Sequence, residues 1–159
     1  MVKFNPYNHF GFLTNRVARL IVKAVEPDME TDGHCFPASC IGILAELWAK
    51  DGISQKYLGT AMIKNKSSIT KMLLALESDG LIEKMDDPED GRGKIIYLTQ
   101  KGRDMQQIIE SKSGEMEEML LTDCSKAEIV IAKKVMAEMY EKLYFKVNGH
   151  NPFENRNKE

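Results

Sequence analysis

The stretch from Ile53 to Gly102 constrains the fold more than any other part of this chain. It changes periodicity twice within a short span. Ser54 can cap a helix, because its hydroxyl can accept from backbone N–H groups two or three residues on. Tyr57, Leu58, Ala61 and Met62 then fall on one apolar face. Lys64-Asn65-Lys66 breaks that face and makes a turn, and Asn65 or Ser67 can cap the next helix. Ile69, Met72, Leu73 and Leu76 give the second helix its inward stripe. Asp79-Gly80 ends it, with glycine supplying the left-handed residue. Leu81–Met85 and Lys94–Leu98 are strand-like, and Asp86–Gly93 between them is rich in turn-forming residues. The pattern predicts a mainly α fold with a small β-hairpin: a winged helix-turn-helix.

Charge is distributed unevenly along this frame. The whole chain carries a formal net charge of −2, which by itself speaks mildly against nucleic acid. Residues 54–76, however, hold Lys56, Lys64, Lys66 and Lys71 and no Asp or Glu, although 29% of the chain is charged. Screening confines remote charges to a reach of about 8–10 Å, so a local basic face can meet phosphates on an acidic protein. The outward side of the second helix shows Lys66, Ser67, Ser68, Thr70 and Lys71. The hairpin tip reads Asp90-Gly91-Arg92-Gly93-Lys94.

The flanking sequence is helical. Phe10, Leu13, Val17, Leu20, Ile21 and Ala24 form a stripe expected to end before Pro27. Pro37 suits the first turn of a helix running through Ile41, Leu44, Leu47 and Trp48. A long helix after Thr99 carries Met105, Ile108, Ile109, Met116, Met119 and Leu120. Ser125 and Glu128 form a capping box for a last helix bearing Ile129, Ala132, Val135, Met136, Met139 and Leu143. These stripes exceed what a small winged helix can cover. A second copy is the simplest cover, since large exposed apolar patches are rare on monomers. The chain, 159 residues with 43% hydrophobic, can bury a real core. No segment approaches 18 uninterrupted apolar residues, so no membrane span is expected. The N-terminus lacks the pattern of a signal peptide. Three cysteines without framework spacing suggest reduced thiols and a cytoplasmic protein. Cys40 and Cys124 read as core filler. Cys35, beside His34 and near a helix start, is a candidate redox thiol. The histidines and cysteines do not supply a metal set, no cofactor motif is present, and no phosphate loop or nucleophile elbow suggests an enzyme. Ten methionines mean adaptable packing.

Several elements together resemble the MarR-type winged-helix transcriptional regulators, over roughly residues 8–147. They are Ser67-Ser68-Ile69-Thr70-Lys71 with Leu76-Glu77-Ser78-Asp79-Gly80-Leu81-Ile82, then Asp86-Asp87-Pro88-Glu89-Asp90-Gly91-Arg92, then Leu98-Thr99-Gln100-Lys101-Gly102. Asp90 and Arg92 match the family's Asp-x-Arg wing element. Leu98, Thr99 and Gly102 match its Leu-Thr-x-x-Gly junction. Gly91 stands where the wing more often carries a first arginine, and Phe36–Ile41 lacks the Leu-Thr-x-x-Gln often found there.

The resemblance implies a homodimer joined through terminal helices. Residues 1–35 and 100–147 would form the dimerisation region and 36–99 the DNA-binding winged helix-turn-helix, while 148–159, polar with Gly149 and Pro152, reads from its composition as a disordered tail. The resemblance implies binding to double-stranded DNA at an inverted-repeat operator, expected to be repression. It also implies a small-molecule effector bound between the dimer helices and the winged helix, with sensing through Cys35 as the alternative. The expected DNA-binding residues are Lys56, Lys64, Lys66, Ser67, Ser68, Thr70, Lys71, Asp90, Arg92 and Lys94. Ser67, Ser68, Thr70 and Lys71 would meet the major groove. Arg92 would reach the flanking minor groove, Lys94 would touch phosphate, and Asp90 would orient Arg92 or the wing backbone. A winged helix that binds protein instead would favour an acidic or apolar second helix, and this one is basic and hydroxyl-rich.

Overall fold

Apolar residues at helical and strand spacing set the core around which the chain is built. The structure is a computed structural model that describes residues 5–31, 36–88, 90–91 and 93–150, with only the backbone over 25–31. A short 3-10 turn, Pro6–Asn8, precedes α1 (Phe10–Thr31). A second, Ala38–Cys40, leads into α2 (Ile41–Ala49). Then come β1 (Ile53–Ser54), α3 (Gln55–Ala61), α4 (Lys66–Ser78), β2 (Ile82–Asp86), β3 (Lys94–Leu98), α5 (Gln100–Leu121) and α6 (Lys126–Asn148). The chain divides into two compact units, Met1–Asp104 and Met105–Glu159.

In the first unit the stripe expected of α4 points inward. Ile69, Leu73 and Leu76 are fully buried, as are Leu58 of α3, Ile43, Leu44 and Leu47 of α2, and Ile96 of β3. Each such side chain contributes about 1.5–3 kcal/mol on burial. The helix ends follow local rules. Ser54 caps α3, its hydroxyl accepting from the Tyr57 N–H at 3.1 Å. Asn65, one of the two expected caps, starts α4 by accepting from the Ser68 N–H at 2.9 Å. At the other end Gly80 adopts φ +71°, the Gly80 N–H reaches the Glu77 carbonyl, and the Leu81 N–H reaches the Leu76 carbonyl. That paired closure is the glycine-terminated helix end.

The wing is the expected hairpin, antiparallel from Ile82↔Leu98 to Asp86↔Lys94. A third strand was not expected. β1 pairs with β3 through Ile53↔Ile96, so the sheet order is β1-β3-β2. Two residues carry no alternation to read, and their partner lies far along the chain.

The Leu-Thr-x-x-Gly junction has a mechanical explanation. The Thr99 hydroxyl donates to the Gly80 carbonyl at 2.7 Å and accepts from the Gly102 N–H at 3.1 Å, so one side chain caps α5 and ties it to the end of α4. Gly102 lies so close to the chain before β2 that a Cβ there would stand 2.0 Å from the Leu81 carbonyl oxygen. The Trp48 indole N–H donates to the Gly102 carbonyl at 2.9 Å. Asp51 accepts from the Leu98 N–H and from Arg103. The start of α5 is thereby fixed to the sheet within this unit.

Three expectations need correction. α1 does not stop before Pro27 but runs to Thr31. Proline removes one ladder hydrogen bond, and its fixed φ remains helical. Cys124 is exposed, unlike the buried Cys40. It sits in the turn between α5 and α6, outside both apolar stripes. Asn148, placed with the tail, is the last residue of α6, Gly149 closes that helix at φ +77°, and the His150 ring lies edge-on to Tyr144 at 5.4 Å. Residues 151–159 lie outside the described residues.

In the second unit the capping box is present. The Ser125 hydroxyl accepts from the Glu128 N–H, and the Glu128 carboxylate accepts from both Ser125 groups. Those bonds, the hydroxyl's first and the N–H's second, hold the Glu128 carboxyl below its ordinary range. Of the expected apolar stripe of α6, Val135 is 40% exposed, Met136 43% and Leu143 56%, and outside that stripe Val130, Ile131, Phe145 and Val147 are more open still. Among the described residues no helix is long and apolar enough to cross a membrane.

Candidate nucleic-acid interface

The two helices of the helix-turn-helix place basic and hydroxyl side chains outward because their apolar residues are committed inward. Lys56, Lys64, Lys66, Ser67, Thr70 and Lys71 are exposed, and Ser68 is half-buried. Among the described residues, none of the four lysines has a carboxylate within ion-pairing distance. Other cations in the same unit do: Lys84 lies 2.6 Å from Glu77, Lys101 3.7 Å from Asp79, and Arg103 2.8 Å from Asp51. The difference follows from the absence of acid between Asp51 and Glu77. The outer face of α4 therefore carries uncompensated positive charge.

The hydroxyls are more constrained than the sequence implied. Ser67 donates to the Asn65 side-chain oxygen at 2.8 Å, so its proton is engaged. Thr70 donates to the Lys66 carbonyl at 2.9 Å and accepts from the Gln55 amide at 2.9 Å. Gln55, the first residue of α3, was not singled out from the sequence. Nothing local places residue 55 beside residue 70. The available hint is that Gln55 is a long polar side chain at the start of the acid-free stretch.

The turn between α3 and α4 contains a second feature the sequence did not signal. Ile63 has φ +51°, the left-handed region, and is 60% exposed. The Ile63 N–H bonds to the Thr60 carbonyl, and the Lys64 N–H to the Gly59 carbonyl. This is the same helix closure that Gly80 makes, built here on a β-branched residue for which that conformation is strained.

At the wing, Lys94 lies 2.5 Å from its cross-strand partner Asp86, so contact with a phosphate would compete with that pair. Asp90 shapes the tip through its backbone: its carbonyl accepts from the Gly93 N–H at 2.7 Å, and its N–H donates to the Asp87 carboxylate at 3.3 Å. Arg92 and Cys35 lie outside the described residues. Cys40 is fully buried, and burial pushes its thiol up to about 11, partly countered by Lys64. It stays protonated near neutrality, unlike a thiolate sensor. Among the described residues no cluster of three His, Cys, Asp or Glu could hold a metal ion.

Residues 39–94 match the model of the MarR family. They cover the residues from the turn before α2 to the start of β3. An uncharacterised HTH-type transcriptional regulator of Bacillus subtilis, YdgJ, is 32% identical over 104 residues, which cover 64% of this chain and 62% of that protein. The curated relatives are matched over 31–63% of their own lengths. Among solved structures, a MarR crystal structure superposes with a TM-score of 0.82 at 22% identity, covering 89% of this chain and 95% of that one. A complex of MepR from S. aureus with DNA superposes with a TM-score of 0.71 at 23% identity, covering 89% and 99%. These likenesses show the winged-helix fold.

Proposed function

We propose, for a chain that carries a MarR-family winged helix, a homodimeric, sequence-specific DNA-binding transcriptional regulator that acts as a repressor. The observation that carries this reading is the outer surface of α3, the turn after it and α4, where Lys56, Lys64, Lys66 and Lys71 stand exposed with no acidic partner among the described residues. Unpaired ammonium groups release condensed counterions when they meet phosphates. Two copies related by a two-fold axis present two α4 helices about one turn of duplex apart, so the operator is an inverted repeat. In this reading Ser67, Ser68, Thr70 and Lys71 enter the major groove. Lys56, Lys64 and Lys66 hold phosphates, as does Lys71 at the groove edge, Lys94 exchanges Asp86 for a phosphate, Asp90 supports the wing tip, and Arg92 enters the flanking minor groove.

The exposed apolar residues of α1 and α6 support the dimer. Phe10, Val17 and Leu20 on α1, and Val130, Ile131 and Phe145 on α6, lie open in the single chain. Exposure on that scale marks an interaction surface. A small-molecule effector that shifts operator affinity completes the proposal, and it rests on the family resemblance.

Selection from a randomised duplex pool, followed by titration of the recovered sequence at several chain concentrations, tests the reading. The expected outcome is an inverted repeat bound by two chains. Failure to enrich any sequence, with binding no tighter than to unrelated duplex, would overturn it.

A further inference from the structure

Thr70 is exposed on α4, yet its hydroxyl is occupied on both sides. Its single proton goes to the Lys66 carbonyl, and its oxygen accepts from Gln55 Nε2, each at 2.9 Å. In helices threonine divides between two rotamers because its oxygen can bond the carbonyl one turn back. The Lys66 bond selects one of them, and the Gln55 amide, arriving from the neighbouring helix, holds it. With its proton committed, Thr70 has left to offer a partner its γ-methyl and one acceptor lone pair.

We propose that Thr70 is a specificity-determining residue that reads a thymine through this methyl group, with Gln55 as the positioning residue that fixes it. The inference rests on the DNA-binding reading and extends it to one base. Thymine is the base that displays a methyl on the floor of the major groove, and threonine methyls are suited to that contact. Thr70 lies in the N-terminal half of α4, the part of a recognition helix that meets base edges. Lys66 and Lys71 flank it and are free for phosphates. Donating to a base would require Thr70 to give up the Lys66 bond, and the one lone pair left could only accept from a base amino group, a contact that the methyl-deletion test below separates from the methyl reading. The chain thus separates two tasks on one helix face: the lysines supply charge, and Thr70 supplies an apolar probe of fixed orientation.

The test uses the tightest duplex selected by the wild-type chain, with each thymine replaced in turn by deoxyuridine, which lacks only the methyl. One thymine per half-site is expected to be sensitive, its replacement weakening wild-type binding about fourfold, the value of one buried methyl-sized group. Thr70→Ser keeps the hydroxyl and loses the methyl. It is expected to bind the thymine duplex about fourfold more weakly and to be indifferent to the replacement. Thr70→Val keeps the methyl position and loses the hydroxyl, and is expected to retain thymine dependence. Gln55→Ala is expected to narrow the thymine preference while leaving the salt dependence of binding unchanged, a split that a general loss of folding would not give. If Thr70→Ser keeps the preference and Thr70→Val loses it, the hydroxyl is the reader and the proposal is wrong. The same holds if no thymine is sensitive. A wild-type chain that binds no duplex overturns the DNA-binding reading, and this inference with it.

Discussion

α4 and α6 are both amphipathic helices, and they handle their two faces in opposite ways. α4 hides Ile69, Leu73 and Leu76 completely and leaves Lys66 and Lys71 without acidic partners among the described residues. α6 leaves Val130, Ile131, Leu143, Phe145 and Val147 open and mixes acids among its lysines. There Lys133 lies 2.6 Å from Glu117, and Lys142 lies 3.9 Å from Glu138. A helix with a satisfied core and unsatisfied charge is prepared for a polyanion. A helix with balanced charge and exposed apolar side chains is prepared for another apolar surface. One chain thus carries two incomplete surfaces of different chemistry.

The largest expected effect comes from breaking the second surface. Val130→Glu with Phe145→Glu is expected to yield a monomer by light scattering at micromolar concentration. Operator affinity is expected to fall about 100-fold or more, because linked half-site binding is lost. A dimer that persists would remove α6 from the interface.

Next comes a contrast inside α5. Gly102→Ala is expected to cost about 3 kcal/mol in urea unfolding, since its Cβ would meet backbone that cannot move aside. Gly114, in the second unit, has nothing within 4 Å of an added Cβ. Gly114→Ala is expected to stabilise by about 0.5–1 kcal/mol, the helix-propensity gain. Equal effects at the two sites would mean that the first unit is not held as described.

A smaller gain is expected at the turn before α4. Ile63→Gly relieves a left-handed β-branched residue but adds backbone freedom to the unfolded chain, for a net stabilisation of about 0.5–1 kcal/mol by thermal unfolding. A loss there would show that the exposed isoleucine is held by contacts worth more than the strain.

The smallest effect is a pH dependence of α6. The Glu128 carboxyl is lowered by its bonds to Ser125. Its contribution is therefore complete above its unfolded pKa and is lost as pH falls through the lower folded value. Glu128→Gln is expected to flatten that acid limb slightly. An unchanged limb would mean that the capping box does not report on α6.

The contrast between the helices is partly legible in the amino-acid sequence. Ser54, Asn65, Asp79-Gly80 and Ser125 with Glu128 act through neighbours within a few residues, so their types and spacing suffice. The inward stripe of α4 and the hairpin are readable for the same reason. β1 is hidden because two residues make no pattern. The length of α1 is misread because proline is a helix breaker on average but costs this backbone one hydrogen bond. Cys124 is misread because apolar neighbours in sequence do not bury a residue that falls in a turn. At the interface, composition marks the lysines, while the Gln55–Thr70 bond depends on how α3 packs against α4. Lys94 looks available in sequence, and the strand register pairs it with Asp86.

The most direct measurement is the slope of log affinity against log salt for operator binding. It compares the wild-type chain, a variant with Lys56, Lys64, Lys66 and Lys71 changed to Ala, and a control with Lys133 and Lys142 changed to Ala. The unpaired lysines of α3 and α4 are expected to lower the slope by about 0.9 for each phosphate contact removed, with a large loss of affinity, while the control keeps the wild-type slope. A fourfold lysine variant with the wild-type slope and affinity would contradict the assignment of this face to DNA.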